Sequence, residues 1–575
     1  MLTLSLLCAC IASLASGANS QDVPAPAPSP PEVPAPGPPS LSAPIDFLSD
    51  EAILAPLELL TTNDGAWIQK QTFGKSALGA PLEAWTIAKP NATARPTMLI
   101  VGGLDGVHLF SAQCAVAAAQ AVLAGDRSAL EHGNLIVIPV LNPDARALAH
   151  STRAIRSSNA TAMDDDRDGA MDEDAAQDVN GDGLITMMRL PARVGRAPTH
   201  LIDSVDARIV RTPDPKKHEH ATHEYFVEGR DLDGDGRVAE DSVGGTDLDR
   251  NFPHRWPEFA TDAGAYPLSA VESLAFAEFI ASHPEITTAL IFGVADTLAE
   301  FPESQDKDSS GSTPSIYHTD DHASYKEIAK SWKDGSRCEK AIDIAHADLA
   351  GSLVLWLANH RGIAAVTTSA HARPDAPKAV EGAPPVVATG DAEQQAWLEY
   401  SDRVFAGAGF IAWQPFQHPE LGPVEIGGWR PFFREQPSAL DAAKIATAQG
   451  EGAKAILALL PRIELGSLTA TPLADGLLKV DLVLVNAGGL PTTTKMDTVA
   501  RARPPILVRT SLAPSRLLSG KPVERIDRIA AGGSARISYT MLGEPGERVQ
   551  LRVEAPGLTS IEREIVFPPA SGASR

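Results

Sequence analysis

Cysteine is nearly absent from this 575-residue chain, with four in all, two of them at Cys8 and Cys10 in the first ten residues. Loss of that segment would leave Cys114 and Cys338, enough for one disulfide. A chain of this length with 43% hydrophobic residues buries a core large enough not to depend on one. Long apolar runs are missing as well. Beyond the uncharged stretch 2–14, no window holds the ~20 uninterrupted apolar residues that a membrane-spanning helix needs. Positive charge is scarce: 49 Lys and Arg face 73 Asp and Glu, a formal net charge of -24, and this excludes nucleic acid, whose phosphates would be repelled.

What is present begins with the apolar stretch 2–14 and the small residues Ser16, Gly17 and Ala18. That is the layout of a cleaved secretory signal over residues 1–20, without the usual basic residues in front. The expectation is an exported protein, periplasmic or extracellular. Anchoring as a lipoprotein through Leu7-Cys8-Ala9-Cys10 is the alternative, although cleavage there would leave a short apolar core. Residues 21–44, dominated by Pro, Ala and Ser, cannot bury enough apolar surface to fold and read as an extended spacer.

The excess acid is concentrated. Asp164, Asp166 and Asp168 alternate before Gly169 and are followed by Glu173 and Asp174; Asp231, Asp233 and Asp235 precede Gly236 and are followed by Glu240 and Asp241. Between them Asp178, Asn180 and Asp182 precede Gly183. Calcium takes ~6 to 8 oxygen ligands, and alternate carboxylates around a glycine turn supply them from one short loop. The position of an EF-hand's bidentate Glu is Ala175, Arg189 or Ser242, so these are not EF-hands proper, and the Glu-Asp pairs would have to close the shells. The plain alternative is a solvated acidic surface. Repetition with glycine in the same place favours structural calcium in an insertion spanning 160–245, since so polar a stretch has little apolar surface with which to order itself. His218, His220 and His223, near Glu219 and Glu224, lack the spacing of a helical zinc site and read as surface leading into a strand at 225–227.

Across 45–461 apolar strands alternate with amphipathic helices, which predicts an α/β domain with a mixed sheet. Strands are expected at 98–101, 135–141, 289–292 and 363–367, and helices at 109–123, 270–282, 392–406 and 439–460, with Ser269 as an N-cap. From 462 to 575 short alternating strands, such as 478–485, with Gly488-Gly489 and Gly532-Gly533 between them, predict a small antiparallel β-sandwich.

Several ordered motifs in the α/β part resemble those of the zinc metallocarboxypeptidases: Gly74-Lys75-Ser76 with Gly79 and Pro81-Leu82, Asn142-Pro143-Asp144, and Asp247-Leu248-Asp249-Arg250-Asn251-Phe252-Pro253. The resemblance covers roughly four hundred residues, and some subfamilies carry a β-sandwich after the catalytic domain. It implies a zinc held by two His and a Glu, with a second Glu as general base. At those places this chain departs from the family. Gly102-Gly103-Leu104-Asp105-Gly106-Val107-His108 occupies the family's Gly-x-His-x-x-Glu, which puts Asp105 and His108 at the first two ligand positions. The third, expected to be His after the strand 289–292, is Gly293, with Asp296 beyond it. The base position holds Ser369, which has no lone pair basic enough for the task near neutral pH.

The substrate-holding side is better kept. By resemblance Arg250 matches the arginine that grips a peptide's terminal carboxylate, Arg153 and Arg156 match a pair of which one polarises the scissile carbonyl, and Asp249 stands where the family has Asn and could neutralise Arg250. Glu425 lies too far along the chain to replace the base and reads as structural. The resulting expectation is a carboxypeptidase-like pseudoenzyme that binds peptides or cell-wall fragments. The alternatives are a divergent hydrolase using Asp105, His108 and Asp296 on a metal, and a structural envelope protein.

Overall fold

The computed structural model describes residues 48–91, 95–163, 169, 171, 172, 174–193, 197–232, 234, 236–239, 245–338, 349–375 and 388–569. All lie in one compact unit, Pro44–Arg575. No described helix is long and apolar enough to cross a membrane.

The mixed sheet is built from β1 (Ile68–Lys75), β2 (Pro81–Ile87), β3 (Thr97–Val101), β4 (Asn134–Ile138), β5 (Ile286–Phe292) and β6 (Ala364–Thr368), in the order β1-β2-β4-β3-β5-β6. β1 and β2 join antiparallel; β4, β3, β5 and β6 run parallel. β3, β5 and β6 are buried at every position, which is why their sequences are apolar without alternation. The strand expected at 135–141 ends at Ile138. Pro139 has no N–H to donate to a ladder, and the Leu141 amide turns back to the carbonyls of Gly102 and Gly103.

Helices α1 (Asp50–Asn63), α2 (Phe110–Leu123), α3 (Pro143–Thr152), α4 (Val271–Ser282), α5 (His322–Ser336), α6 (Leu353–His360), α7 (Ala392–Phe405) and α8 (Ala442–Leu457) complete the domain. α8 packs between α2 and α5 through glycines: a Cβ on Gly450 would stand 2.7 Å from the Ala117 carbonyl, and one on Gly452 2.7 Å from the Trp332 ring. α8 is shorter than its expected 439–460, because tight turns at Ser438 and after Ile456 bracket it. The cap expected from Ser269 is made otherwise. Asn251 Oδ1 accepts from the Ala270 amide at 3.1 Å, while Ser269 Oγ accepts from Asn251 Nδ2.

The polar stretch 160–245 gains order from far along the chain. Its strands Met187–Pro191 and His223–Val227 continue an antiparallel sheet begun by the hairpin Phe410–His418 and Gly422–Trp429. Met188 and Leu190 share a small core with Val238, Leu421, Val424 and Ile426. Glu425 is structural here: it accepts from Arg189 Nε at 2.8 Å, and that guanidinium lies 4.3 Å from the Trp413 ring centroid.

From Ile463 onward two four-stranded antiparallel sheets face one another. Leu478, Val480, Leu482 and Leu484 of one and Val549, Leu551 and Val553 of the other alternate inward into a common core. Both Asp321 carboxylate oxygens accept from the Lys495 amide, and Thr494 Oγ1 donates to the Gly362 carbonyl, which fastens the sandwich to the α/β body.

Candidate functional site

The chain leaves β3 through a turn that only glycine fits. A Cβ on Gly102 would stand 2.7 Å from the Ser111 carbonyl oxygen, and Gly103 has φ +57°. This turn delivers Asp105 and His108 inward, 4% and 7% exposed. Asp105 Oδ1 accepts from the amides of Val107 and His108 at 2.9 and 2.6 Å, and Oδ2 lies 3.0 Å from His108 Nδ1. Gln436 closes the loop, donating to the Val107 carbonyl at 2.6 Å and accepting from the Phe110 amide at 2.7 Å. Burial alone would raise the Asp105 pKa and lower that of His108. Their mutual attraction wins, so the carboxyl sits below its ordinary value and the imidazole above, helped by Glu435 and Asp247.

A second strip runs beside this loop. The Gly106 amide donates to the Arg156 carbonyl at 3.0 Å, Ser158 bridges to Asp247, and the Asn159 amide donates to the Thr246 carbonyl. The Arg156 guanidinium is spent locally, on Ser158 and the Asn159 carbonyl. Arg153 ends α3 in a left-handed conformation, φ 58°. Asp247 caps the short turn Leu248–Arg250 through the Asp249 amide, and Asp249 Oδ1 accepts from the Leu353 amide at 2.9 Å. Asp249 and Arg250 do not form an ion pair. Arg250 Nε instead donates to Asp262 Oδ1 at 2.9 Å, and among the described residues its two Nη groups meet no hydrogen-bond partner. Asp247 and Asp249 keep some exposure but crowd Asp105, and burial followed by carboxylate repulsion pushes them up to about 8 and about 7.

The remaining two positions lie at the ends of β5 and β6. The Gly293 amide donates to the Thr368 carbonyl at 3.0 Å. Asp296 is engaged by its own surroundings, accepting from the amides of Leu298 and Ala299 and from Thr368 Oγ1 at 2.7 Å. Ser369, 5% exposed, donates to the His371 carbonyl at 3.3 Å. Ala370 between them has φ 70°, a strained conformation for a residue with a Cβ. His371 then packs edge-on to Phe110 at 6.2 Å, close enough to His108 for its charge to be felt, and burial pushes its pKa down to about 4.

Zinc does not fit the donor set present. Asp105 and His108 are bonded to each other, Gly293 and Ser369 bring no suitable donor, and among the described residues no group of three His, Cys, Asp or Glu is placed to hold a metal.

Residues 53–182 match the family model described as zinc carboxypeptidase. That match covers less than a quarter of the chain. Residues 462–566 match a second model, described as a domain of unknown function (DUF8731). No curated protein matches the chain. Among solved structures, the chain is similar to bovine thrombin-activatable fibrinolysis inhibitor in complex with a tick carboxypeptidase inhibitor (16% identity, 56% of this chain and 86% of that one, TM-score 0.34). It is also similar to carboxypeptidase A from Helicoverpa armigera (15%, 63% and 74%, TM-score 0.33). A metallo-carboxypeptidase from Burkholderia cenocepacia aligns at 10% identity over 72% of this chain and 69% of that one, with TM-score 0.34.

The motifs that resemble that family hold one another. Ser76 Oγ donates to Asp144 Oδ1 at 2.8 Å, the Leu78 amide donates to Asp144 Oδ2, and Asn142 caps α3 through the Ala145 amide while donating to the Leu104 carbonyl. Of the acidic loops, Asp164, Asp166, Asp168, Glu173, Asp233, Asp235, Glu240 and Asp241 lie outside the described residues. Asp178, Asn180 and Asp182 accept from backbone amides of their own loop between Gly181 and Leu184. Asp231 accepts from the Gly234 amide, and buried Asp174 accepts from the Leu232 amide, tying the first acidic loop to the last. Sequence reasoning missed Glu228, wholly buried and accepting from the amides of Val179, Asn180 and Thr186. Asp247 enters the sequence reading only as part of a motif, and its place beside Asp105 follows from the folded chain.

Proposed function

We propose that this protein is exported and binds peptides or cell-wall peptides through the old substrate cleft without hydrolysing them. The observation that carries the reading is the Asp105–His108 pair: the two groups at ligand positions satisfy each other, and neither Gly293 nor Ser369 supplies what hydrolysis would still lack. Binding is supported by Arg250, whose Nη fork is available for a planar carboxylate while its Nε is steadied by Asp262. The divergent-hydrolase reading has less support, because Asp296 is engaged by Thr368 and its own loop.

Export rests on the apolar segment 2–14, and location in the periplasm or outside the cell follows from it. Structural calcium in the insertion is proposed on the repeated acidic loops.

The test is elemental analysis of the purified protein with a peptide-trimming assay, and calorimetry with a short N-acetylated peptide and its C-terminal amide. The reading expects less than stoichiometric zinc, no trimming, and binding of the free acid that Arg250→Gln weakens. One tightly held zinc, with turnover abolished by Asp105→Ala, would overturn it.

A further inference from the structure

The formal charge is unevenly shared along the chain. Residues 462–566 carry 14 Lys and Arg against 11 Asp and Glu, whereas the whole chain has 49 against 73. The sandwich is therefore a basic module on an acidic molecule, and it meets anions more readily than the body to which it is joined. A cleft in it, with an empty volume of ≈ 740 Å³, opens between residues 493–505 and the edge strand Val523–Ile526. The described residues run unbroken from 388 to 569 and include the whole lining of this cleft.

Arg501, Arg503, Arg525, Asp497 and Asp527 line it, and their pairing leaves the arginines unequal. Arg503 is spent. Its amide and Nε donate to Asp497 at 3.1 and 2.9 Å, its Nη2 donates to the Gly362 carbonyl at 3.2 Å, and the pair is nearly buried. Arg525 holds Asp527 at 2.6 Å, but these side chains are 60% and 52% exposed, so water competes for the pair and holds its strength down. Arg501 is exposed and meets no acidic partner among the described residues. The loop that presents Arg501 is stiff: the double contact of Arg503 with Asp497 closes residues 497–503 on themselves, and Pro504-Pro505 fixes the backbone that follows. A guanidinium carried on such a loop loses little freedom on meeting a ligand. Ala502, Pro504 and Pro505 give the same cleft an apolar lining.

We propose that this cleft binds a phosphate monoester, its dianionic phosphate held by Arg501 and Arg525 and its organic part lying against the prolines. One dianion answers two guanidinium groups, and each fork offers it paired donors. Asp527 works against the ligand, because it holds Arg525 and repels the incoming charge. Its presence sets the affinity below what the two arginines alone would give.

The test is calorimetric titration of the full chain with phenyl phosphate, benzoate and inorganic phosphate, with NMR observation of the arginine Nε–H signals. Phenyl phosphate should bind, move the Arg501 and Arg525 signals, and bind about tenfold more weakly to Arg501→Gln. Benzoate, with the same ring and one charge fewer, should bind less tightly, and so should inorganic phosphate, which lacks the ring. Asp527→Asn should bind phenyl phosphate more tightly than the wild type, a gain that a misfolded variant would not show. Arg250→Gln should leave all three titrations unchanged. Absence of binding up to about 10 mM, an affinity unmoved by Arg501→Gln, or a loss of binding in Arg250→Gln would overturn the site. Benzoate binding as tightly as phenyl phosphate would overturn the phosphate class, and no gain in Asp527→Asn would overturn the placing of the phosphate at Arg525.

Discussion

His108 Nδ1 lies 3.0 Å from Asp105 Oδ2, so two buried side chains of the turn after β3 hold each other. Asp105 also takes two amides with its other oxygen, which makes it a loop anchor as well as an ion-pair partner.

Removal of that anchor should be costly. Asp105→Ala leaves a buried imidazole and two amides without their acceptor and should destabilise the protein by about 3 kcal/mol in urea unfolding. Asp105→Asn keeps an oxygen for the amides and should cost less. In Asp105→Ala the His108 pKa, read from its NMR titration, should fall, because burial, the largest influence on it, is then opposed only by the weaker pull of Glu435 and Asp247. A His108 pKa that stays raised would show that another group holds its proton.

Asp247 and Asp249 make stability depend on pH in the opposite sense to ordinary surface carboxylates. Their folded pKa values, about 8 and about 7, exceed the unfolded value of about 3.9, so the folded state binds more protons between those limits. Their contribution is complete below the unfolded value and is lost as pH rises through about 7 and about 8. Denaturant unfolding should therefore show stability falling between pH 5 and pH 9, with the slope flattened in Asp247→Asn/Asp249→Asn. A slope identical in wild type and variant would remove these groups as its cause.

Gly293 has room for a side chain: the nearest atoms to an added Cβ are Ile291 Cγ2 and Thr367 Oγ1, both at 3.6 Å. Gly293→His should fold, with a stability change of about 1 kcal/mol or less, and should remain inactive by itself. Combined with Asp105→His, His108→Glu and Ser369→Glu it should take up stoichiometric zinc, measured by elemental analysis. Failure of the single variant to fold would mean that glycine is needed there for its backbone.

Calcium should raise the melting temperature, and magnesium should do so poorly because it demands a tight octahedral shell. Scans with chelator, calcium and magnesium test this, and Asp166→Ala/Asp233→Ala should lose most of the calcium response. A wild-type melting temperature indifferent to calcium would leave the acidic loops as solvated surface.

The sequence by itself determined what depends on neighbours a few residues apart. The Gly102-Gly103 turn, the Asn142 cap with Pro143 behind it, the fully apolar strands and the inward alternation of 478–484 are local patterns with one satisfactory backbone each. Motif order extended this to the α/β fold and to a resemblance to the zinc carboxypeptidases. Tertiary structure alone decided the pairings: Asp262 for Arg250 in place of the adjacent Asp249, the hairpin at 410–429 for the strands of the insertion, and the approach of His371 to the Asp105 loop. These partners meet only after the chain has folded back on itself. Periodicity and spacing record which face a residue presents, but the choice among distant partners is made by packing and by the cost of leaving a buried polar group alone.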